Sequence, residues 1–289
     1  MVDFPVTFEP EAALFNKEGF WGPRTAGIDW CERNYQITPY IAEFWNTISN
    51  VVMLGMALWG IRQCRAYGLE PRFYVGFLTV VVIGIGSTAF HMTLSYGGQQ
   101  GDESPMIITL ICWWYHLAWL HPETERRYPN GRRISAVICF ILAIGWTVAH
   151  YMYAFVLVFQ VAFGVVIFAA GMQILREVKL VTDVNARALG MAFSVTFGSA
   201  FILWLIENAI CGSLYNLPLG IPNPQLHAWW HVLTGISCYI GPSFLVYRRS
   251  MLLGRHPVTG RLFGLIPYVH LPAKVKDEQQ PSLTGPELV

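Results

Sequence analysis

"ISAVICFILAIGWTVAHYMYAFVLVFQVAFGVVIFAAGMQIL", residues 134–175, contains no Asp, Glu, Lys or Arg. As a single helix this stretch would run about 63 Å, roughly twice the thickness of a bilayer's hydrocarbon core. The chain must turn back inside it, and the polar "AHYMY" at 149–153 is the natural place. Two spans therefore replace one. Other runs long enough to cross the hydrocarbon extend the set to 40–61, 73–95, 104–120, 134–150, 152–175, 188–210 and 226–247. Composition agrees, since only 13% of the 289 residues are charged, about half the share usual in soluble domains. The fold expected is all-α: a polytopic seven-transmembrane helix bundle.

Basic residues orient it. Arg62, Arg65 and Arg72 follow the first span, and Arg126, Arg127, Arg132 and Arg133 follow the third. Arg176, Lys179 and Arg187 follow the fifth, and Arg248, Arg249, Arg255, Arg261, Lys274 and Lys276 lie in the tail. The alternate connections, 96–103, around 150 and 211–225, carry none. By the positive-inside rule the C-terminus is cytosolic and the N-terminus lumenal. Residues 1–20 lack the apolar core of a signal peptide, which leaves targeting to the first span. Three parts result: a lumenal N-terminal segment (1–39), the membrane domain (40–248) and a cytosolic tail (249–289) whose polar end, "KVKDEQQPSLTGPELV", reads as disordered. A formal net charge of +1 offers no footprint for nucleic acid.

Against this apolar background, ionisable residues in the spans mark function. Ser87 and His91 share a face at the lumenal end of span two. Asp102 and Glu103 sit just before span three, and His227 and His231, four apart, open span seven. Glu207 and Asn208 close span six, while Glu43 begins span one. All lie in one leaflet. Three imidazoles with a carboxylate and a hydroxyl are an inventory for catalytic zinc, which takes three protein ligands and leaves a fourth position open. Taken singly, each residue also fits helix–helix hydrogen bonding. The other histidines (116, 121, 150, 256 and 270) lack such company.

A second cluster precedes span one. Asp29, Glu32 and Asn34 in "DWCERNY", with Glu43, bring oxygen ligands suited to calcium, or equally an acidic helix N-terminus. Cys31 and Cys211 both fall on the lumenal side, where they can be two free thiols or a disulfide.

"GFWGPRTAGIDWCERNY" (19–35), "YIAEFWNTISN" (40–50), "GSTAFHMTLSY" (86–96) followed by "DESPM" (102–106), and "QLHAWWHVLTG" (225–235) closely resemble the alkaline ceramidases, membrane hydrolases of a wider seven-span superfamily. The likeness runs in spaced blocks from about residue 19 to 248. It implies an enzyme that cleaves the amide of ceramide, dihydroceramide or phytoceramide to a sphingoid base and a fatty acid. It implies zinc on His91, His227 and His231, Asp102 on the zinc water, and Ser87 beside the oxyanion. It also implies calcium on Asp29, Glu32, Asn34, Glu43 and the backbone carbonyl of Trp30, and a disulfide between Cys31 and Cys211. The substrate would enter from the bilayer, in the endoplasmic reticulum and/or Golgi, and no obligate protein partner is evident. Rival classes are a seven-span lipid-binding receptor, a metal transport path lined by the histidines, and another lipid hydrolase of the superfamily. A short tail speaks against the receptor, and the apolar cytosolic halves of spans two and seven speak against the transport path.

Overall fold

A computed structural model describes residues 18–215, 217–262 and 264–271. Residues 1–17 of the N-terminal segment and the tail beyond Leu271, with the disorder expected there, lie outside the described residues. Among those described are eight α-helices and one hairpin. The long helices are α1 (Phe44–Ala66), α2 (Pro71–Thr93), α3 (Tyr96–Ala118), α5 (Gly131–Tyr153), α6 (Val156–Leu180), α7 (Val184–Leu214) and α8 (Leu226–Leu252), with a short α4 (Pro122–Arg127) between α3 and α5.

The chain does turn back in the uncharged stretch. Ala154 takes a left-handed conformation (φ 46°, ψ 51°) and its N–H donates to the His150 carbonyl, ending α5. Leu94 ends α2 in the same way, so α3 can begin at once with Ser95 accepting from the Gly98 N–H. Asp183 caps α7 through the Ala186 N–H.

Five helices, α1, α2, α5, α6 and α7, are long and apolar enough to cross a membrane. The other two long helices overlap predicted spans but are more polar. They are α3, with Asp102 and Glu103, and α8, with His227 and His231. On α5 and α6 large apolar side chains point outward: Phe140 is 66% exposed and Phe168 71%. Such a surface suits lipid, not water. The interior is built by α1, α2, α3, α7 and α8 around Phe77, Trp113, Phe193, Tyr239 and Phe244.

Two boundaries are corrected. The third span was expected from residue 104, but α3 starts at Tyr96, so Asp102 and Glu103 lie within the helix rather than before it. "YGGQQG" has poor helix propensity, and contact with α2 overrides it. A Cβ on Gly86 would run into the carbonyl oxygen of Gly101. The backbones of α2 and α3 thus meet one residue before Ser87 and Asp102, and this approach brings those side chains together. Gly86→Ala is expected to force the helices apart, destabilising the fold by about 1–3 kcal/mol. A lower thermal midpoint in detergent checks this; an unchanged midpoint refutes it.

The second correction lies past residue 248, where the tail was expected to begin. There α8 continues to Leu252, and β1 (Val258–Leu262) pairs antiparallel with β2 (Ile266–His270). Val269 and Leu271 are buried in the main core, and Tyr268 packs edge-on against Trp59. At the same end, Arg249 bonds Glu70, Glu125 and the Leu120 carbonyl, and Arg72 bonds the Trp119 carbonyl. These contacts tie the ends of α2, α3 and α8 opposite the histidines.

Candidate metal centre

His91 near the end of α2 and His227 and His231 in the first turns of α8 converge. Their candidate ligand atoms all lie within 4.8 Å of one another, and all three residues are buried. The spacing of four puts His227 and His231 on one face of α8. A bend of the chain at Gln225 (φ 55°, ψ 55°) starts that helix beside α2.

Two of the three rings have their Nδ1 hydrogen-bonded. His91 Nδ1 meets Glu43 Oε2 at 2.5 Å. His231 Nδ1 lies 3.0 Å from the Asn46 carbonyl and 2.9 Å from Ser49 Oγ. Because a carbonyl only accepts, His231 carries its proton on Nδ1. His227 Nδ1 lies 3.2 Å from Glu207 Oε2, without hydrogen-bond alignment. The three Nε2 atoms remain as lone-pair donors, and His91 Nε2 is buried with no hydrogen-bond partner. Imidazoles whose outer nitrogens face carboxylates and a carbonyl are the pattern of zinc ligands. The donor set fits that metal.

Ser87 and Asp102 stand beside the triad. Asn50 Nδ2 donates to Ser87 Oγ at 3.1 Å, and Ser87 faces the Asp102 carboxylate. Ser87, Asp102, Glu103, His227 and His231 form the polar end of a cavity between α1, α2, α3, α6, α7 and α8. Its remaining wall is mostly apolar, with Met53, Phe163, Ile167 and Phe197, and also carries Thr109, Gln160 and Thr234. Trp30 stacks on His227 at 3.8 Å and lines the same cavity.

The acidic cluster adjoins this centre. Glu43 is fully buried and faces both ways: Oε1 accepts from the Trp30 N–H and Oε2 touches His91. Its carboxylate also lies beside that of Asp29. Burial, and then the charge of Glu43, push the Asp29 carboxyl up to about 8, with Arg24 as its ion-pair partner at 3.2 Å among the described residues. Asn34 Nδ2 lies 3.1 Å from Asp29 Oδ2. Two carboxylates in contact need a shared proton or a cation. Glu32 differs, since its oxygens accept from the Trp45 and Asn46 N–H groups and cap α1. Cys31 and Cys211 form a disulfide, which ties this loop to α7 just past its kink at Ile210.

Residues 22–270 match the Ceramidase family. The chain belongs to the ceramidase family. Alkaline ceramidase 3 of Mus musculus is 34% identical over 265 residues, covering 89% of this chain and 97% of its own length. An alkaline ceramidase of Saccharomyces cerevisiae is 33% identical over 249 residues, covering 80% and 78%. One of Arabidopsis thaliana is 29% identical over 252 residues, covering 87% and 95%.

Sequence reasoning missed several residues of this ceramidase-family site. Asn46, Ser49 and Asn50 all face it from α1, and their spacing of three and four within an apolar span was the available signal. His150 is not companionless, because its Nε2 lies 2.6 Å from Glu103 Oε2 in the cavity wall. Glu103 in turn accepts from Gln99. No local pattern announced that pair, since its members stand 47 residues apart on different helices.

Proposed function

We propose that this chain is a zinc-dependent intramembrane amidase that hydrolyses ceramide to a sphingoid base and a free fatty acid. The convergence of three buried imidazoles with Asp102 and Ser87 at the polar end of an apolar cavity carries this reading. Family membership supplies the substrate class. His91, His227 and His231 would hold the metal, which when bound supplies a Lewis acid and a water acidified toward a pKa of about 7.

The chain's own residues perform the rest. Asp102 accepts the proton of the attacking water and returns it to the leaving nitrogen, so that amide and water become acid and amine. Asn50 donates to Ser87 Oγ, which directs the Ser87 hydroxyl proton at Asp102. Once Asp102 is protonated it accepts less strongly, and the hydroxyl can turn to the developing oxyanion. Glu43, Glu207 and the Asn46 carbonyl orient the rings. The apolar wall takes the hydrocarbon chains and keeps bulk water out.

The same reading places seven helices across the membrane of the endoplasmic reticulum and/or Golgi, with the N-terminus lumenal and the C-terminus cytosolic. Sixteen of the 19 Lys and Arg on one side, against three in the N-terminal segment, and the Cys31–Cys211 disulfide support it. A transport path is disfavoured because Phe77, Tyr239 and Phe244 fill the bundle on its other side.

Calcium belongs to the same proposal, on Asp29, Glu43, Asn34, the Trp30 carbonyl and Glu32, the last sharing its oxygens with the α1 amides. Saturating calcium should raise the thermal midpoint of the wild type by about 5 °C, and Asp29→Asn should lose that rise. An equal rise in the variant removes Asp29 from the site.

The direct test is incubation of detergent-purified protein with ceramide and phytoceramide. Release of sphingoid base and fatty acid in equal amounts supports the amidase. Protein that holds zinc yet releases neither product overturns it.

A further inference from the structure

Helical threonines in this chain mostly return their hydroxyl to the backbone. Thr47, Thr79, Thr88, Thr93, Thr147 and Thr196 each donate to a carbonyl three or four residues back. Thr109 and Thr234 do not. Both are buried, both line the cavity that holds the histidines, and neither Oγ1 has a hydrogen-bond partner. A hydroxyl stripped of water without a partner costs roughly 1–3 kcal/mol, and the backbone carbonyl that usually relieves it is one turn away. Their hydroxyls are therefore available to something inside the cavity.

Their register is informative. Thr109 follows Asp102 by seven residues on α3, and Thr234 follows His227 by seven on α8. Seven residues are two turns on the same face, about 10 Å along the axis. Both helices start at the histidine end, so each hydroxyl stands farther along its helix than the polar end of the cavity. Thr234 is also only three residues, about one turn, below His231. Met53, Ile83 and Leu110 are among the apolar residues of the same cavity. This shelf lies within reach of a group a few bonds from an amide held at the histidines.

We propose that Thr109 and Thr234 form a second polar subsite that recognises a hydroxyl on the lipid chain near the scissile amide. The chain would then prefer ceramides that carry a hydroxyl in addition to those on C1 and C3, on C4 of the sphingoid base or C2 of the acyl chain. This rests on the amidase reading, since the amide fixes where the hydroxyl falls.

Competition between two substrates in one reaction tests it, because a product ratio does not depend on how much protein is folded or metal-loaded. Plain ceramide is mixed with an equal amount of the C4-hydroxylated base in one arm and of the 2-hydroxyacyl lipid in another. Products are resolved by mass for the wild type, Thr109→Val and Thr234→Val. A wild-type ratio favouring a hydroxylated lipid, falling about five- to tenfold in the variants, supports the subsite, and the arm that responds names the source. Ratios equal within about twofold in all three proteins mean that the two threonines do not read the added hydroxyl, and overturn it. In parallel, each lipid's thermal stabilisation of metal-stripped protein is measured. Should the wild type cleave nothing, the amidase reading fails. The subsite then stands only if a hydroxylated lipid stabilises the wild type more than plain ceramide does and the variants lose that difference.

Discussion

His231→Ala is expected to lower release of sphingoid base from ceramide by about 10³-fold or more, with loss of bound zinc and little change in helix content. The ring sits in the second turn of α8, buried, with Nδ1 on the Asn46 carbonyl and Ser49. Removing it deletes one of three nitrogen donors from an interior where no other imidazole stands by among the described residues. A factor of 10³ corresponds to about 4 kcal/mol of transition-state stabilisation, within what Lewis-acid assistance supplies. The helix itself should survive, because α8 is held chiefly by the Tyr239–Phe244 core and the Arg249 contacts at its far end. Activity, elemental zinc and far-UV circular dichroism of matched preparations check it. Near-native turnover in the variant would end the zinc assignment.

Asp102→Asn is expected to cost about 10²–10⁴ in turnover while zinc stays bound. That range is typical for loss of a positioned proton acceptor, and asparagine keeps the shape without the basicity. Ser87→Ala should cost about 10², the scale of one oxyanion donor. It removes the link between Asn50 and Asp102 but no acceptor. The two effects should not add, because both residues serve one proton and one hydroxyl. Single-turnover rates with zinc content measured on the same samples decide the matter. If zinc is lost in step with activity in Asp102→Asn, the carboxylate holds the metal and does not move the proton.

The turn inside residues 134–175 and the gathering of polar residues at one end of the bundle were legible from local rules. An uncharged run too long for one crossing must fold back, and a costly polar residue in an apolar helix reveals itself by contrast alone. His91, His227 and His231 were found in this way. The same rules misread α3, whose glycines and glutamines look like a loop until Gly86 meets Gly101. They also left the hairpin at 258–270 unforeseen, although Gly264 between two short apolar runs was the signal.

Sequence by itself determined how many long helices the chain could form, which end of the bundle gathers the polar residues, and which three imidazoles converge there. Spacing within a helix and the cost of charge in hydrocarbon are properties of neighbouring residues, so they can be read along the chain. Only the tertiary structure decided which nitrogen each imidazole offers, because Glu43, Glu207 and the Asn46 carbonyl come from other helices. It alone set Glu43 between Asp29 and His91, paired Glu103 with His150, and left Thr109 and Thr234 facing the cavity. These are contacts between residues far apart in sequence, and their geometry follows from how closely the backbones can approach.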